Sequence, residues 1–458
     1  MTPTLLDAPP ALADPVWRQI LRLAWPALLQ QGLLLAIQLN DQYLAGPFSA
    51  PHKAALTTAN YVYWFVTSYA VVVNAGATAL VGRLAGARDW TAAGRATGQA
   101  VLLAAAFGLA GGVAGLVGMP AFVHVLGLDV ESAGYAVEYL RPLAALLPFY
   151  MVEVGGIACL VGAGDTRTGL KVLAAVVATN GPVAWALSRG VEGLVPNLGF
   201  VGIAVGTGLA HVAGCVLVLA VLVRGRYGLR LTWSNLVPND RLVGRLLRVS
   251  APAAADAMSV GVFQFVFLGL VNRLGETAAS AHGIAIRLEG LGYLSGAAFA
   301  TATAAIVSRS LGAGRPDVAA KGAWTALAFG CGLMTAMGVL FFALARRMFL
   351  LFNPAGGEVV DAGVPVLRLI AFAMPGLAGT IILTQALRGA GDTRVPVLFT
   401  WAGFAAVRLP LAWWFTTAAA GPHLGLIGAW LAMFTDIYVR AGFYLTRFAG
   451  GRWKRVRV

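Results

Sequence analysis

Arg141-Pro-Leu-Ala-Ala-Leu-Leu-Pro148 leads through an apolar stretch into Gly162-Ala-Gly-Asp-Thr-Arg167, and the pattern returns as Arg368-Leu-Ile-Ala-Phe-Ala-Met-Pro375 leading into Gly389-Ala-Gly-Asp-Thr-Arg394. Arg141 and Arg368, Pro148 and Pro375, and Gly162 and Gly389 are each 227 positions apart. An offset held across an apolar run and its polar end marks one structural unit written twice. Further pairs stand 226 apart: Pro26 with Pro252, Gln38 with Gln264, and Leu198-Gly199 and Gly202 with Leu424-Gly425 and Gly428.

Of the 458 residues 59% are hydrophobic and 11% charged, where a soluble domain carries roughly 25% charged residues. The mean hydropathy is +0.78, which places the chain in a bilayer. Its 57 glycines suit helices that pack through small residues, because lipid supplies no hydrophobic drive for helix association. Cys159, Cys215 and Cys331 lie within apolar runs and read as small core residues rather than a disulfide frame or metal site.

Twelve apolar segments follow a Pro- and Ala-rich start, centred near residues 32, 67, 107, 147, 179, 212, 260, 293, 333, 374, 406 and 435. Each can cross a hydrocarbon core of about 30 Å, which needs about 20 helical residues. The expected fold is an all-α membrane protein of twelve transmembrane helices in two six-helix bundles. An even number of spans per half makes the copies parallel, related by a pseudo-twofold axis along the membrane normal. The expected division is a cytoplasmic tail at 1–17, an N-terminal bundle at 18–223, a cytoplasmic linker at 224–246, a C-terminal bundle at 247–447 and a basic cytoplasmic tail at 448–458.

With the N-terminus inside, 24 of the 33 basic residues fall on the cytoplasmic side, and that bias sets orientation. Both termini are then cytoplasmic. The net charge of +14 is spread over these loops rather than gathered on one face, so it points to membrane orientation and not to nucleic acid.

Ionisable residues inside the hydrocarbon are costly and are functional candidates by default. Five acids qualify: Asp41, Glu153, Asp256, Glu289 and Asp436. Asp436 precedes Arg440 by four residues, the spacing of a local helical ion pair. Asp256 is expected near a wetted cytoplasmic mouth, and Glu289 has Arg287 nearby but not on its own helix face. Asp41 differs because it continues a stripe of Gln31, Gln38 and Gln42 at helical spacing, which faces protein or water rather than lipid. The fifth span adds Thr179, Asn180, Gly181 and Pro182, and proline there is expected to break the helix and open a cavity. The alternative is an aspartate held permanently by Asn180 and the glutamines. A carboxylate in a wet pocket is neutral and cheap to bury when protonated and attracts a cation when ionised, which is the chemistry of a proton-driven pump.

These residues resemble the multidrug and toxic compound extrusion (MATE) transporters over about residues 18–447. The likeness rests on the two sets of six spans and Asp41-Gln-Tyr-Leu-Ala-Gly46. It also rests on Val81-Gly-Arg-Leu-Ala-Gly-Ala-Arg88 with Val307-Ser-Arg-Ser-Leu-Gly-Ala-Gly314, the twin Gly-Ala-Gly-Asp-Thr-Arg loops, and Gly199-Phe-Val-Gly-Ile-Ala-Val-Gly-Thr207. The resemblance implies antiport of amphipathic, often cationic organic compounds against H+ or Na+, with two bundles rocking about a central cleft. It also implies multidrug efflux and antibiotic resistance, and a bacterial cytoplasmic (inner) membrane.

Carried over one at a time, Asp41 matches the family's first-span aspartate, Asn180 its fifth-span asparagine and Thr207 its sixth-span threonine. Where many members carry a second aspartate this chain has Ala184. The positions of the C-terminal acids found in other members fall at Val260 and Leu377. A Na+ site prefers several hard, charged oxygen ligands, so the one remaining acid favours H+, and the nearest branch is the DNA-damage-inducible-like one. The coupling ion is then H+, no cofactor is needed, and the partners are small amphipathic molecules and membrane lipids, with the chain a monomer.

Gln38, Gln42, Tyr61, Tyr150, Glu153, Asp256 and Glu289 are candidates for a substrate cavity, and Tyr63 and Trp64 join Tyr61 and Tyr150 as aromatic faces for an organic cation. The glycine loops lack the Lys-Ser/Thr of a nucleotide loop. They are expected to close helices and to pair Asp165 with Arg167 and Asp392 with Arg394. Two other readings compete. A flippase for lipid-linked saccharides needs a basic cavity, for which Arg287 and Arg408 are the deep candidates. A membrane-embedded enzyme needs a ligand cluster, whereas His52, His124, His211, His282 and His423 are scattered along the chain.

Overall fold

The computed structural model describes residues 15–125, 128–417, 421–456 and 458, so most of the expected N-terminal tail lies outside the described residues. The described chain is helical, with no strand. In order the helices are α1 (Val16–Leu44), α2 (Ala50–Gly86), α3 (Trp90–Val125), α4 (Val130–Ala145), α5 (Leu147–Ala163), α6 (Thr166–Arg189) and α7 (Gly199–Arg224). They continue as α8 (Asp240–Asn272), α9 (Glu276–Gly312), α10 (Pro316–Phe352), α11 (Glu358–Gly389), α12 (Arg394–Trp401), α13 (Leu409–Thr416) and α14 (Gly425–Ala449). Among the described residues eleven spans are long and apolar enough to cross a membrane, or twelve when α4 and α5 count as one. Two compact units result: Leu29–Ser250, and Ala251–Val458 with the first turns of α1 up to Leu28.

The duplication is visible in backbone contacts. Gly162 lets α5 pass the backbone of α2, since a Cβ there would stand 2.8 Å from Thr78 O. Its copy Gly389 does the same for α11 against α9, 2.7 Å from Ala304 O. The next glycine of each loop, Gly164 at φ +94° and Gly391 at φ +86°, ends the helix in the left-handed region, where a Cβ is penalised.

The loop aspartates bind partners other than those expected. Arg226 Nε donates to Asp165 Oδ2 at 3.2 Å, and Arg447 donates through Nε and Nη2 to Asp392 Oδ2 at 2.9 and 2.8 Å. Asp165 caps α6 by accepting from Thr168 N at 2.9 Å, and residues two apart on a helix do not share a face. The cation therefore comes from a segment distant in sequence.

The repeat does not enforce identical spans. Pro148 and Pro375 are copies, yet α4 and α5 meet at a bend of 53° while α11 runs unbroken through Pro365 and Pro375. Six residues before Pro148 stands Pro142, and before Pro375 the same place holds Leu369. Two prolines that close remove two backbone donors from consecutive turns, which kinks the helix. The expected break at Pro182 is absent, because α6 is continuous from Thr166 to Arg189. In the eleventh span a π-helical turn, Ala402–Arg408, joins α12 to α13. Pro182 and Pro410 are 228 apart, one more than the 227 at the start of the span, and a π turn holds one extra residue.

Within the first unit, between α7 and α8 in sequence, a short 3-10 turn at Trp233–Leu236 lies on α3. Gln99 Nε2 donates to Asn235 O and Val237 O, both at 2.8 Å, and Asn239 N donates back to Gln99 Oε1 at 2.9 Å. On the opposite loops, Asp129 caps α4, accepting from Ser132 N at 2.7 Å and Ser132 Oγ at 2.8 Å. These bonds hold its carboxyl below the ordinary carboxylate range.

Helices α6 and α7 pack through glycine. A Cβ on Gly206 would lie 2.4 Å from Ala184 Cα, and one on Gly202 2.4 Å from Leu187 O. Gly206→Ala is accordingly expected to cost about 1–3 kcal/mol, the usual penalty of overpacking, read as a lower melting temperature in detergent. Gly193, with nothing within 4 Å of a built Cβ but a φ of +73°, marks how different an exposed glycine is.

Candidate functional site

A cavity of about 140 Å³ lies inside the first unit, walled by residues of α1, α2, α3, α4, α5 and α7 and by Leu146 at the α4–α5 bend. It has room for several water molecules. Gln38, Asp41, Tyr63, Tyr139, Tyr150 and Thr207 are on its wall. Leu146 and Leu147, at the bend, both line the cavity.

Asp41 is 8% exposed and stands at the end of a chain of hydrogen bonds. Asn40 Nδ2 donates to Asn180 Oδ1 at 2.9 Å, Asn180 Nδ2 donates to Thr207 Oγ1 at 2.8 Å, and Thr207 Oγ1 faces Asp41 Oδ1 and Oδ2 at 3.1 and 3.0 Å. From the other side Tyr139 Oη donates to Asp41 Oδ2 at 3.2 Å. Every link points its donor towards the carboxylate, so the network is set for the ionised acid. Protonation turns one carboxyl oxygen into a donor, and the Thr207 or Tyr139 hydroxyl must then rotate to accept. A change of one proton thus reaches α1, α4, α6 and α7 together.

The expected coupling residues Asp41, Asn180 and Thr207 are therefore in one network. Of the cavity candidates, Gln38 and Tyr150 line the space, while Gln42 and Tyr61 are exposed and lie off its wall. Tyr63 also lines it, and its ring stands 6.3 Å from that of Tyr150. Glu153 is buried behind the wall, bound to His211.

Asp256 and Glu289 belong to the other unit. Asp256 is 2% exposed rather than wetted, and Arg388 Nη2 donates to its Oδ2 at 2.7 Å. Glu289 is half-buried on α9, within electrostatic reach of Arg408 and Arg440. The expected pair of Asp436 with Arg440 is present at 2.7–2.8 Å. Arg408 joins it from the π turn, with Nε 2.9 Å from Asp436 Oδ2 and Nη1 3.2 Å from Gln264 Oε1. Arg287 is exposed.

Asn40, Tyr139 and His211 were not legible as site residues. Asn40 sits beside Asp41 but off the glutamine stripe, and Tyr139 lies on α4 before the bend. His211 carries the one available signal, a polar residue four places after Thr207 on an otherwise apolar helix.

Thr207→Val keeps the volume but leaves Asn180 Nδ2 without its acceptor and Asp41 with Tyr139 as its remaining hydroxyl donor. The expected result is a stability loss of about 1–3 kcal/mol from the orphaned buried groups, seen as a lower thermal midpoint, together with slower export in the vesicle assay below.

The MatE family profile matches residues 26–186 and 252–414. A probable multidrug resistance protein NorM of Thermotoga maritima is 28% identical over 454 residues, covering 96% of this chain and 93% of the relative. An uncharacterized transporter YisQ of Bacillus subtilis is 22% identical over 436 residues, covering 94% of each. Among solved structures, a MATE in the bent conformation aligns with a TM-score of 0.87 at 19% identity, covering 96% of this chain and 97% of the other. A transporter of the MOP superfamily from Pyrococcus furiosus, described as having reversed polarity in its binding pocket, aligns with the same score and identity over 96% of each chain.

Proposed function

We propose, from the premise that this chain belongs to the MatE family of transporters, that it exports amphipathic organic cations in exchange for protons through Asp41. The NorM relatives support multidrug efflux as the class of transport. The coupling ion and the direction are inferences from the site. The observation that carries them is the placement of Asp41, on a cavity wall and held by hydroxyl and amide donors.

When Asp41 is ionised the cavity attracts a cation, and the donors of Thr207 and Tyr139 hold the charge without neutralising it. A proton arriving from outside makes the group neutral, removes the attraction and reverses the hydrogen bonds around it. Release of the organic cation and uptake of the proton then become alternatives at one place, which is what exchange requires. A cavity whose wall bears an acid supports a cation over the diphosphate of a lipid-linked saccharide, and Arg408 is already committed to Asp436. The bias of basic residues towards one set of loops supports a cytoplasmic location for both termini, and the bacterial relatives support an inner membrane.

Inside-out membrane vesicles test the reading. With the lumen acidified, ethidium is expected to accumulate in vesicles that contain the protein and to leave when a protonophore collapses the gradient, equally with and without Na+. Accumulation that needs a Na+ gradient and ignores pH would overturn proton coupling.

A further inference from the structure

The cavity wall carries a second titratable group that exchange at Asp41 leaves unused. His211 lies one turn beyond Thr207 on α7, lines the same cavity and is 5% exposed. Its Nδ1 is 2.8 Å from Oε2 of Glu153 on α5, and Glu153 is fully buried. The other carboxylate oxygen, Oε1, has no hydrogen-bond partner among the described residues. Gly214 makes room for the group, since a Cβ there would fall 2.7 Å from Glu153 Cδ and 2.8 Å from Oε2.

A buried ion pair kept for stability has its remaining lone pairs satisfied. Here half of the carboxylate is unsatisfied, and the imidazole that touches it also touches the cavity. The imidazole can take a proton from cavity water, forming an imidazolium beside the carboxylate, and return it later to the same water. No other bond changes and no other reactant is needed. The groups facing the pair are Tyr150, whose ring edge meets the imidazole at 5.0 Å, Tyr63 beside Tyr150, and Cys215, which lies on α7 in the field of Glu153. Asp41 lines the same cavity as His211. Tyrosines and thiols are ordinarily neutral near neutral pH, which leaves Asp41 and the pair as the groups around this cavity able to exchange a proton with water.

We propose that Glu153 and His211 form a second proton-binding site on this cavity, so that the bundle carries two exchangeable protons where the family resemblance implies one coupling acid. The number of protons moved per cation rests on the proposed role of Asp41; the site itself does not.

Two measurements separate these. Purified full-length protein in detergent, without substrate, is titrated between about pH 5 and 8, where a histidine changes charge, with a pH-indicator dye. His211→Asn, which keeps an N–H for Glu153 but holds no charge, is expected to take up about one proton fewer than wild type. Glu153→Gln is expected to move the midpoint of that step, and it decides the matter if His211→Asn does not fold. Equal titration of wild type and these variants overturns the proposal. Proteoliposomes then report the H+ to ethidium ratio, expected to fall from two to one in His211→Asn; an unchanged ratio overturns the count of two protons per cation, and the titration decides the site. If Asp41→Asn exports as wild type does while His211→Asn still loses its proton, the reading of Asp41 fails and the second site stands.

Discussion

Asp41→Asn is expected to reduce proton-driven export of ethidium to the level of vesicles lacking the protein, while the protein remains folded and inserted. The amide is nearly isosteric and accepts through Oδ1, so Thr207 or Tyr139 keeps one bond to it. The Asn NH2 group asks the other hydroxyl to accept instead, and hydroxyls rotate to suit. The net stability change should therefore stay within about 1.5 kcal/mol, the scale of one hydrogen bond. What disappears is the change of charge, and with it the competition between proton and cation. The measurement is ethidium accumulation in inside-out vesicles at matched expression, with the melting temperature as control. Undiminished export with an unchanged melting temperature would move the coupling acid elsewhere.

Asp436→Ala is expected to give the largest loss of stability in the second unit, about 3–5 kcal/mol, the range for removing one partner of a buried ion pair. Asp436 is wholly buried and binds both Arg408 and Arg440. Both guanidinium groups also lie over the ring of Phe404, at 4.1 and 4.7 Å from its centroid. Removing the acid leaves two like charges against one ring and away from water. Gln264→Ala removes one hydrogen bond from Arg408 and should cost about 1 kcal/mol. Thermal unfolding of the two variants in the same detergent checks the order. A smaller shift for Asp436→Ala than for Gln264→Ala would show that the triad does not hold these helices together. Replacing Arg408 and Asp436 together by apolar residues of similar volume should recover part of the loss.

The same triad shows how one repeat supports two different interiors. Gln38 and Gln264 are copies 226 residues apart. Gln38 lines a cavity, whereas Gln264 accepts from Arg408. The π turn adds the residue that brings Arg408 into line with Gln264 and Asp436, and Gly403 leaves the space, since a Cβ there would meet Asp436 Oδ1. In the sequence this appears only as an offset that changes from 227 to 228 across one span.

Much of the site could be read from residue types. Asp41 and Asn180 are polar groups in apolar helices, and such groups must find partners because lipid offers none; Thr207 came only from the family resemblance. Their partners were less legible. Tyr139 and His211 are ordinary residues of buried helices until packing places them against an acid. Pro182 was expected to break its helix and does not, while the break at Leu146 follows from Pro142 and Pro148 acting in adjacent turns.

The sequence by itself determined the membrane setting, the number of spans, the duplication and the acid in the first helix, because each depends on local composition or on an offset along the chain. Which acids meet which bases was decided only by tertiary structure. Asp165 binds Arg226 and not Arg167, Asp392 binds Arg447 and not Arg394, and Glu153 finds His211, 58 residues away. The physical reason is that a buried charge is stabilised by whatever lies within a few ångströms, and in packed helices those neighbours are set by glycine contacts and bends rather than by distance along the chain.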